Sequence, residues 1–294
     1  MVTTENRTLA LADADIAYTI RGPLPPTGDV PTLLMIGQPM TSEGFTDLAE
    51  QFPDRTVVSY DPRGLGASTR RDGSRENDPR VQAEDLHRLI SELGGPVDVF
   101  GSSGGAVTGL ALIAAHPDDV NVLVAHEPPL RNVLPDADLA ARADHAVTAA
   151  YHDRGWGAGM AAFLGMVTWQ GPFTEEFLAA APPDPSRFGM PAEDDGRRED
   201  PLLSGSSRAV SEYQPDVEAL RALPTTTSRI VLAVGEGSGD TITARTTRAT
   251  ADLLGSEAVV FPGDHGGFMR GNPLNPGEPE AFARRLREVL DAAA

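Results

Sequence analysis

Short apolar, β-branched runs alternate along this chain with stretches of helical periodicity, and no other feature constrains its fold as strongly. The runs are Thr8–Leu11, Asp15–Arg21, Thr32–Ile36, Thr56–Tyr60, Val97–Phe100, Val120–Ala125, Arg229–Val234 and Ala258–Phe261. Strands separated by helix-length segments pair in parallel, and the crossover helices cover both faces of such a sheet. One helical segment opens at Asp78-Pro79, where Asp can cap and Pro fits the first turn, and closes at Leu93-Gly94-Gly95. Others cover Gly105–Ala115, Ala244–Leu254 and Pro279–Ala292. A tight Ala-Asp turn separates the first two runs, which are expected to form an antiparallel hairpin. The sum is an α/β fold with a mostly parallel, eight-stranded sheet.

The alternation stops between about Arg131 and Leu223. Helical periodicity there covers Leu139–His152 and Gly157–Trp169, followed by the loop-like stretch PPDPSRFGMPAEDDGRREDP. Trp156, Phe163, Met166, Trp169 and Phe177 are too many apolar anchors for a disordered linker. Residues 131–223 are therefore expected to form a helical lid inserted after the sixth strand, with 1–130 and 224–294 as the core. With 40% hydrophobic and 23% charged residues, the chain can fill such a core.

Charge and composition exclude several partners. The basic residues, 24 in number, are all arginine and face 43 acidic ones, for a net charge of −19. That balance opposes phosphate backbones and anionic membrane surfaces, so neither nucleic acid nor membrane is expected as a partner. There is no cysteine, hence no disulfide and no thiolate chemistry. The longest apolar run, around Val107 to Ala115, is too short to span a bilayer. The N-terminal MVTTENRTLALADAD lacks a basic region followed by an apolar one, so no signal peptide and a cytoplasmic location are expected. No cofactor and no metal are expected either: Glu193-Asp194-Asp195 reads as solvated loop charge, and no His/Asp/Glu set has ligand spacing.

The chemistry concentrates at VFGSSGGA, residues 99–106. Gly101-Ser102-Ser103-Gly104-Gly105 fits G-x-S-x-G in one register only, with Ser103 central. A nucleophile on a sharp strand-to-helix turn needs glycine-sized neighbours, because larger side chains would collide with the turn. The strand VDVF precedes it and the apolar AVTGLALIAAH helix follows, aiming a helix N-terminus at the site. Serine needs a base. Of six histidines, His265 in FPGDHGGF follows the last strand on a glycine-bracketed loop at the same end of the sheet as Ser103. His116 lies at a helix end and His87, His145 and His152 on helical segments, while His126 ends a strand beside Glu127 and could support the site from behind.

In this order of hairpin, parallel strands, serine turn, insertion and terminal His loop, the chain resembles the α/β-hydrolase superfamily from end to end. Asp61-Pro62-Arg63-Gly64-Leu65-Gly66-Ala67-Ser68 resembles the family's D-x-R-G-x-G-x-S segment, a structural turn. The resemblance implies an α/β-hydrolase fold with Ser103 as nucleophile and His265 as base. It leaves the acid open. Many members carry it as G-x-x-D after the seventh strand, but Gly235-Glu236-Gly237-Ser238 has serine there, with Asp240 two residues on and Glu236 nearby. Some haloalkane dehalogenases place a glutamate after the sixth strand, and Glu127 before Pro128-Pro129 fits that arrangement. The acid fixes the His tautomer and stabilises the imidazolium. The resemblance also implies an oxyanion hole from the Gly104 N–H and, where relatives carry His-Gly, from Gln38 of Ile36-Gly37-Gln38-Pro39.

These implications describe a serine hydrolase acting on an ester, lactone or similar acyl compound, small to medium and partly hydrophobic. Other readings are a non-hydrolytic enzyme of the same fold, such as a perhydrolase, haloperoxidase, isomerase or acyl-transfer enzyme, or a non-catalytic small-molecule receptor.

Overall fold

A computed structural model describes residues 2–191, 193–223, 228–271 and 275–292. The expected boundary at 223/224 abuts residues 224–227, outside the described residues. Eight strands form the body of one sheet: β1 (Thr4–Ala10), β2 (Ala14–Arg21), β3 (Leu33–Ile36), β4 (Val57–Tyr60), β5 (Val97–Ser102), β6 (Val120–His126), β7 (Arg229–Gly235) and β8 (Val259–Phe261). Their order is β1-β2-β4-β3-β5-β6-β7-β8, and a ninth, two-residue strand, Thr69–Arg70, pairs with β2. β1 and β2 form the hairpin, with Ala10 opposite Asp15, and β2 also runs antiparallel to β4. Every pairing from β4 to β8 is parallel.

The apolar strands owe their near-continuous burial to cover on both faces. Successive residues of β3 point opposite ways: Leu34 and Ile36 join a core with Val58, Val99, Leu110 and Leu123, whereas Leu33 and Met35 join Phe100, Val124, Phe268 and Phe282. The helices supplying the cover are α1 (Pro79–Leu93), α2 (Gly104–Ala115), α5 (Ile242–Leu254) and α6 (Pro279–Asp291). The punctuation of α1 acts as its sequence requires: Asp78 accepts from the Arg80 N–H, and Gly94 takes the left-handed conformation, φ 79°.

Between β6 and β7 lie α3 (Ala137–Arg154) and α4 (Trp156–Val167), then the short helices Glu175–Ala179, Arg208–Ser211 and Val217–Arg221. These segments build a third apolar cluster around Val147, Tyr151, Met166, Phe173 and Leu203, and Ile242 of α5 joins it. α4 ends at Val167, short of the expected Trp169, a residue 37% exposed whose ring packs on Phe177 at 5.0 Å between centroids. The Asp61–Ser68 segment is a braced turn. Asp61 accepts from the Ser42 and Ala67 N–H groups at 2.9 and 2.8 Å, and Arg63 forks onto the buried Asp85 at 2.9 and 2.6 Å. Among the described residues no helix is long and apolar enough to cross a membrane.

Candidate active site

Strand β5 delivers Ser103 at a turn with φ 55° and ψ −123°, a conformation that costs a non-glycine residue about 1–3 kcal/mol. Close packing enforces it. A Cβ at Gly105 would lie 2.1 Å from the Ile36 carbonyl oxygen, and one at Gly104 would lie 2.6 Å from that of Gln38. The Ser103 N–H donates to the His126 carbonyl at 2.9 Å, locking the turn to β6. Gly104 is the first residue of α2, so its N–H has no intrahelical acceptor. Gln38 stands against it from the loop after β3 and is buried.

Glu127 is the second described non-glycine residue with positive φ, 50°, at the point where β6 ends. Its N–H donates to the Ala233 carbonyl at 3.0 Å, and its side chain is fully buried. Oε1 accepts from the Gly235 N–H at 3.0 Å, while Oε2 accepts from the Thr243 hydroxyl and faces His265 Nδ1, each at 2.7 Å. Burial alone would push this carboxyl up. The hydrogen bond from His265 and the neighbouring imidazoles outweigh it and hold the group well below the usual carboxylate range. Burial pulls His265 down, but the bond to Glu127 and the charges of Glu127 and Asp264 outweigh it, so its pKa is raised. A carboxylate that accepts from Nδ1 leaves Nε2 as the free basic nitrogen.

Ser103, Gly104, Gln38 and His265 line one cavity of about 640 Å³. Its other wall comes from the segment between β6 and β7, including Ala140, Phe163, Val167 and Arg208. Of the carboxylates left open by the sequence, Glu127 is the one bonded to His265. Asp240 stands apart: its side chain is 70% exposed and pairs with Arg248 at 3.3 Å. The loop after β7 winds into a turn over Glu236–Ser238, which leaves Glu236 and Asp240 facing outward. Sequence reasoning missed Thr243 and the Gly235 N–H, because nothing local marks a residue that holds a carboxylate 116 or 108 positions away.

His126 is fully buried, 6.1 Å from His265 ring to ring, and neither of its nitrogens has a hydrogen-bond partner among the described residues. Burial pushes its pKa down to about 4. A separate group of His and Asp side chains lies together in space although its residues have no ligand spacing in the sequence. His87 and His116 stack at 3.9 Å, and with Asp119 their ligand atoms lie within 4.8 Å of one another. Each ring already bonds a carboxylate, Asp119 and Glu84 respectively, at 2.7 Å. This group sits one length of α2 from Ser103, roughly 20 Å at 1.5 Å per residue.

A family model described as the alpha/beta hydrolase family matches residues 33–285. The chain belongs to this family. As an alpha/beta hydrolase it is similar to the "Uncharacterized hydrolase YraK" of Bacillus subtilis (strain 168), 28% identical over 304 aligned positions, covering 99% of this chain and 97% of that protein. It is also similar in fold to a hydrolase from Pseudomonas aeruginosa PA01, with 23% identity, a TM-score of 0.64 and coverage of 97% and 98%. A thermophilic esterase from Thermogutta terrifontis gives 22%, 0.62 and 99% of each chain. The family match and these neighbours agree on the alpha/beta hydrolase fold.

Proposed function

We propose that this alpha/beta hydrolase cleaves an ester, lactone or similar acyl compound through a covalent acyl-enzyme, with Ser103 as nucleophile, His265 as base and Glu127 as the orienting acid. One observation carries the reading: a buried carboxylate 2.7 Å from Nδ1 of His265, which itself lines one cavity with a serine on a strained strand-to-helix turn. His265 Nε2 takes the Ser103 proton as Oγ adds to the carbonyl carbon. The Gly104 and Gln38 N–H groups hold the oxyanion, and His265 passes its proton to the departing alkoxide. Water, deprotonated by His265, then adds to the acyl-enzyme and releases the acid and the free serine. Glu127 stays ionised throughout and stabilises the imidazolium.

Serine itself narrows the substrate class. Attack on a carbonyl leaves an ester on Ser103, which the same base can hydrolyse. Attack on an epoxide or haloalkane carbon would leave an ether, which offers water no carbonyl to add to. Acyl compounds follow. We further propose that residues 131–223 act as the lid: they supply the apolar wall of Phe163, Leu164 and Val167, suited to a partly hydrophobic small molecule.

Mass spectrometry after fluorophosphonate treatment tests the proposal. A single adduct on Ser103, lost in Ser103→Ala and His265→Ala, is expected; no adduct on folded protein sinks it.

A further inference from the structure

Among the described residues, four ionisable side chains besides His265 line the cavity: Arg131, Asp144, Arg208 and Asp264. Arg131 Nη1 donates to Asp144 at 2.9 Å and to Ser211 at 2.8 Å, and Nη2 pairs with Glu212. Asp264 accepts from the Gly266 N–H at 2.9 Å. Arg208 is different. Among the described residues no carboxylate is ion-paired with its guanidinium; its Nε is buried without an acceptor, as that of Arg131 is too. In a chain with 43 acidic residues to 24 arginines, a cavity-lining guanidinium without a carboxylate is a conspicuous omission.

Its position ties it to the reacting end. Ser207, the preceding residue, donates to the Pro201 carbonyl at 2.8 Å, accepts from Asn77 Nδ2 at 3.2 Å and meets Gln38 Nε2 at 3.5 Å. The backbone carrying Arg208 is thereby held beside the loop that packs on Gly104. The guanidinium lies over Gly205, where a Cβ would stand 3.4 Å from Nη2.

We propose that Arg208 anchors a carboxylate carried by the substrate, so that the preferred substrates are anionic: monoesters of dicarboxylic acids, or lactones bearing a carboxylate. This rests on the hydrolase reading above. A guanidinium presents a planar fork of N–H donors that matches a carboxylate. One unpaired cation matches a single negative charge, which favours a carboxylate over a phosphate dianion in so acidic a protein. The apolar wall of Phe163 and Val167 suits the methylenes between that carboxylate and the scissile carbonyl.

The test compares kcat/KM for monophenyl adipate with that for phenyl adipamate, its neutral carboxamide counterpart. Wild-type protein is expected to favour the carboxylate by about tenfold or more, the ratio falling about tenfold in Arg208→Gln and less in Arg208→Lys. A wild-type ratio of one or below, or a ratio unchanged in folded Arg208→Gln, overturns the anchor while leaving the hydrolase intact. Should Arg208→Gln not fold, wild-type inhibition decides: adipate must inhibit about tenfold more tightly than adipamide, and equal inhibition overturns the proposal. Should neither ester be cleaved, the hydrolase reading fails instead, and calorimetric binding of adipate against adipamide to the wild type judges the anchor alone.

Discussion

Nδ1 of His265 lies 2.7 Å from Oε2 of Glu127, across 138 positions of sequence. The contact depends on a backbone device at each end. Glu127 turns its carboxylate out of the line of β6 through φ 50°, and Gly263, at φ 80°, bends the loop after β8 that carries His265. Glu127 is held by the Gly235 and Thr243 donors as well, so the pair is fixed from the protein side before any ligand enters.

In the proposed mechanism, replacing Glu127 by Gln keeps the shape but removes the charge that would stabilise the imidazolium, and presents an amide that cannot fix the tautomer. We expect kcat to fall on the order of 10³–10⁴-fold. Asp240→Asn removes only an exposed ion pair with Arg248 and should alter kcat by less than about twofold. Steady-state hydrolysis of a phenyl ester by both variants checks this, and the reverse ranking would return the acid role to Asp240.

The same pair sets a pH dependence. As the proposed base His265 would work only as neutral imidazole, and Glu127 stabilises its protonated form, so the His265 pKa lies above its ordinary 6.5. kcat/KM should therefore rise with pH through an acidic limb centred above 6.5, flattening once His265 is neutral. In Glu127→Gln the raising influence is gone while burial still pulls downward, so the limb should move to lower pH as the plateau drops. A pH–rate profile of the two proteins measures the shift. An unmoved limb would mean that another group titrates.

Gly104 and Gln38 separate two contributions to the proposed oxyanion hole. Because the proposed Gln38 donor is its backbone N–H, Gln38→Ala keeps it and loses only side-chain packing and the long contact to Ser207. Gly104→Ala puts a Cβ 2.6 Å from the Gln38 carbonyl oxygen and must push the two donors apart. We expect Gly104→Ala to lower kcat about a hundredfold, near 3 kcal/mol, and Gln38→Ala to cost far less. Thermal melts alongside the kinetics distinguish a displaced donor from a destabilised fold.

Most of the frame was legible because it is written locally. The strand runs lie within one or two residues of β2 through β8, and the Asp-Pro and Gly-Gly punctuation marks both ends of α1. β1 begins at Thr4 rather than Thr8, since Thr4–Arg7 has no apolar alternation and is strand only through pairing with β2. The Ser103 turn was legible for the same local reason, its glycines being required by contacts within the motif's own neighbourhood. The choice among Glu127, Asp240 and Glu236 was not, because it depends on how the loop after β7 turns. Arg208 and Thr243 were invisible too: one begins a four-residue helix, the other lies in the first turn of α5, and no periodicity points at a cavity.

His126 gives a stability prediction with a definite sign. Its rings of neighbours are Phe100, Phe261, Phe268 and Phe282, and burial among them lowers its pKa from 6.5 to about 4. The folded state thus binds its proton less readily than the unfolded chain. The histidine costs nothing by linkage above pH 6.5, destabilises progressively as pH falls from 6.5 towards about 4, and adds no further penalty below that. A shift of that size amounts to on the order of 3 kcal/mol. His126→Phe replaces a ring whose nitrogens have no partner among the described residues with one matching its surroundings. Urea denaturation should show the variant gaining stability over wild type at pH 5 by more than it does at pH 8. Equal differences at the two pH values would show that His126 does not titrate in this window.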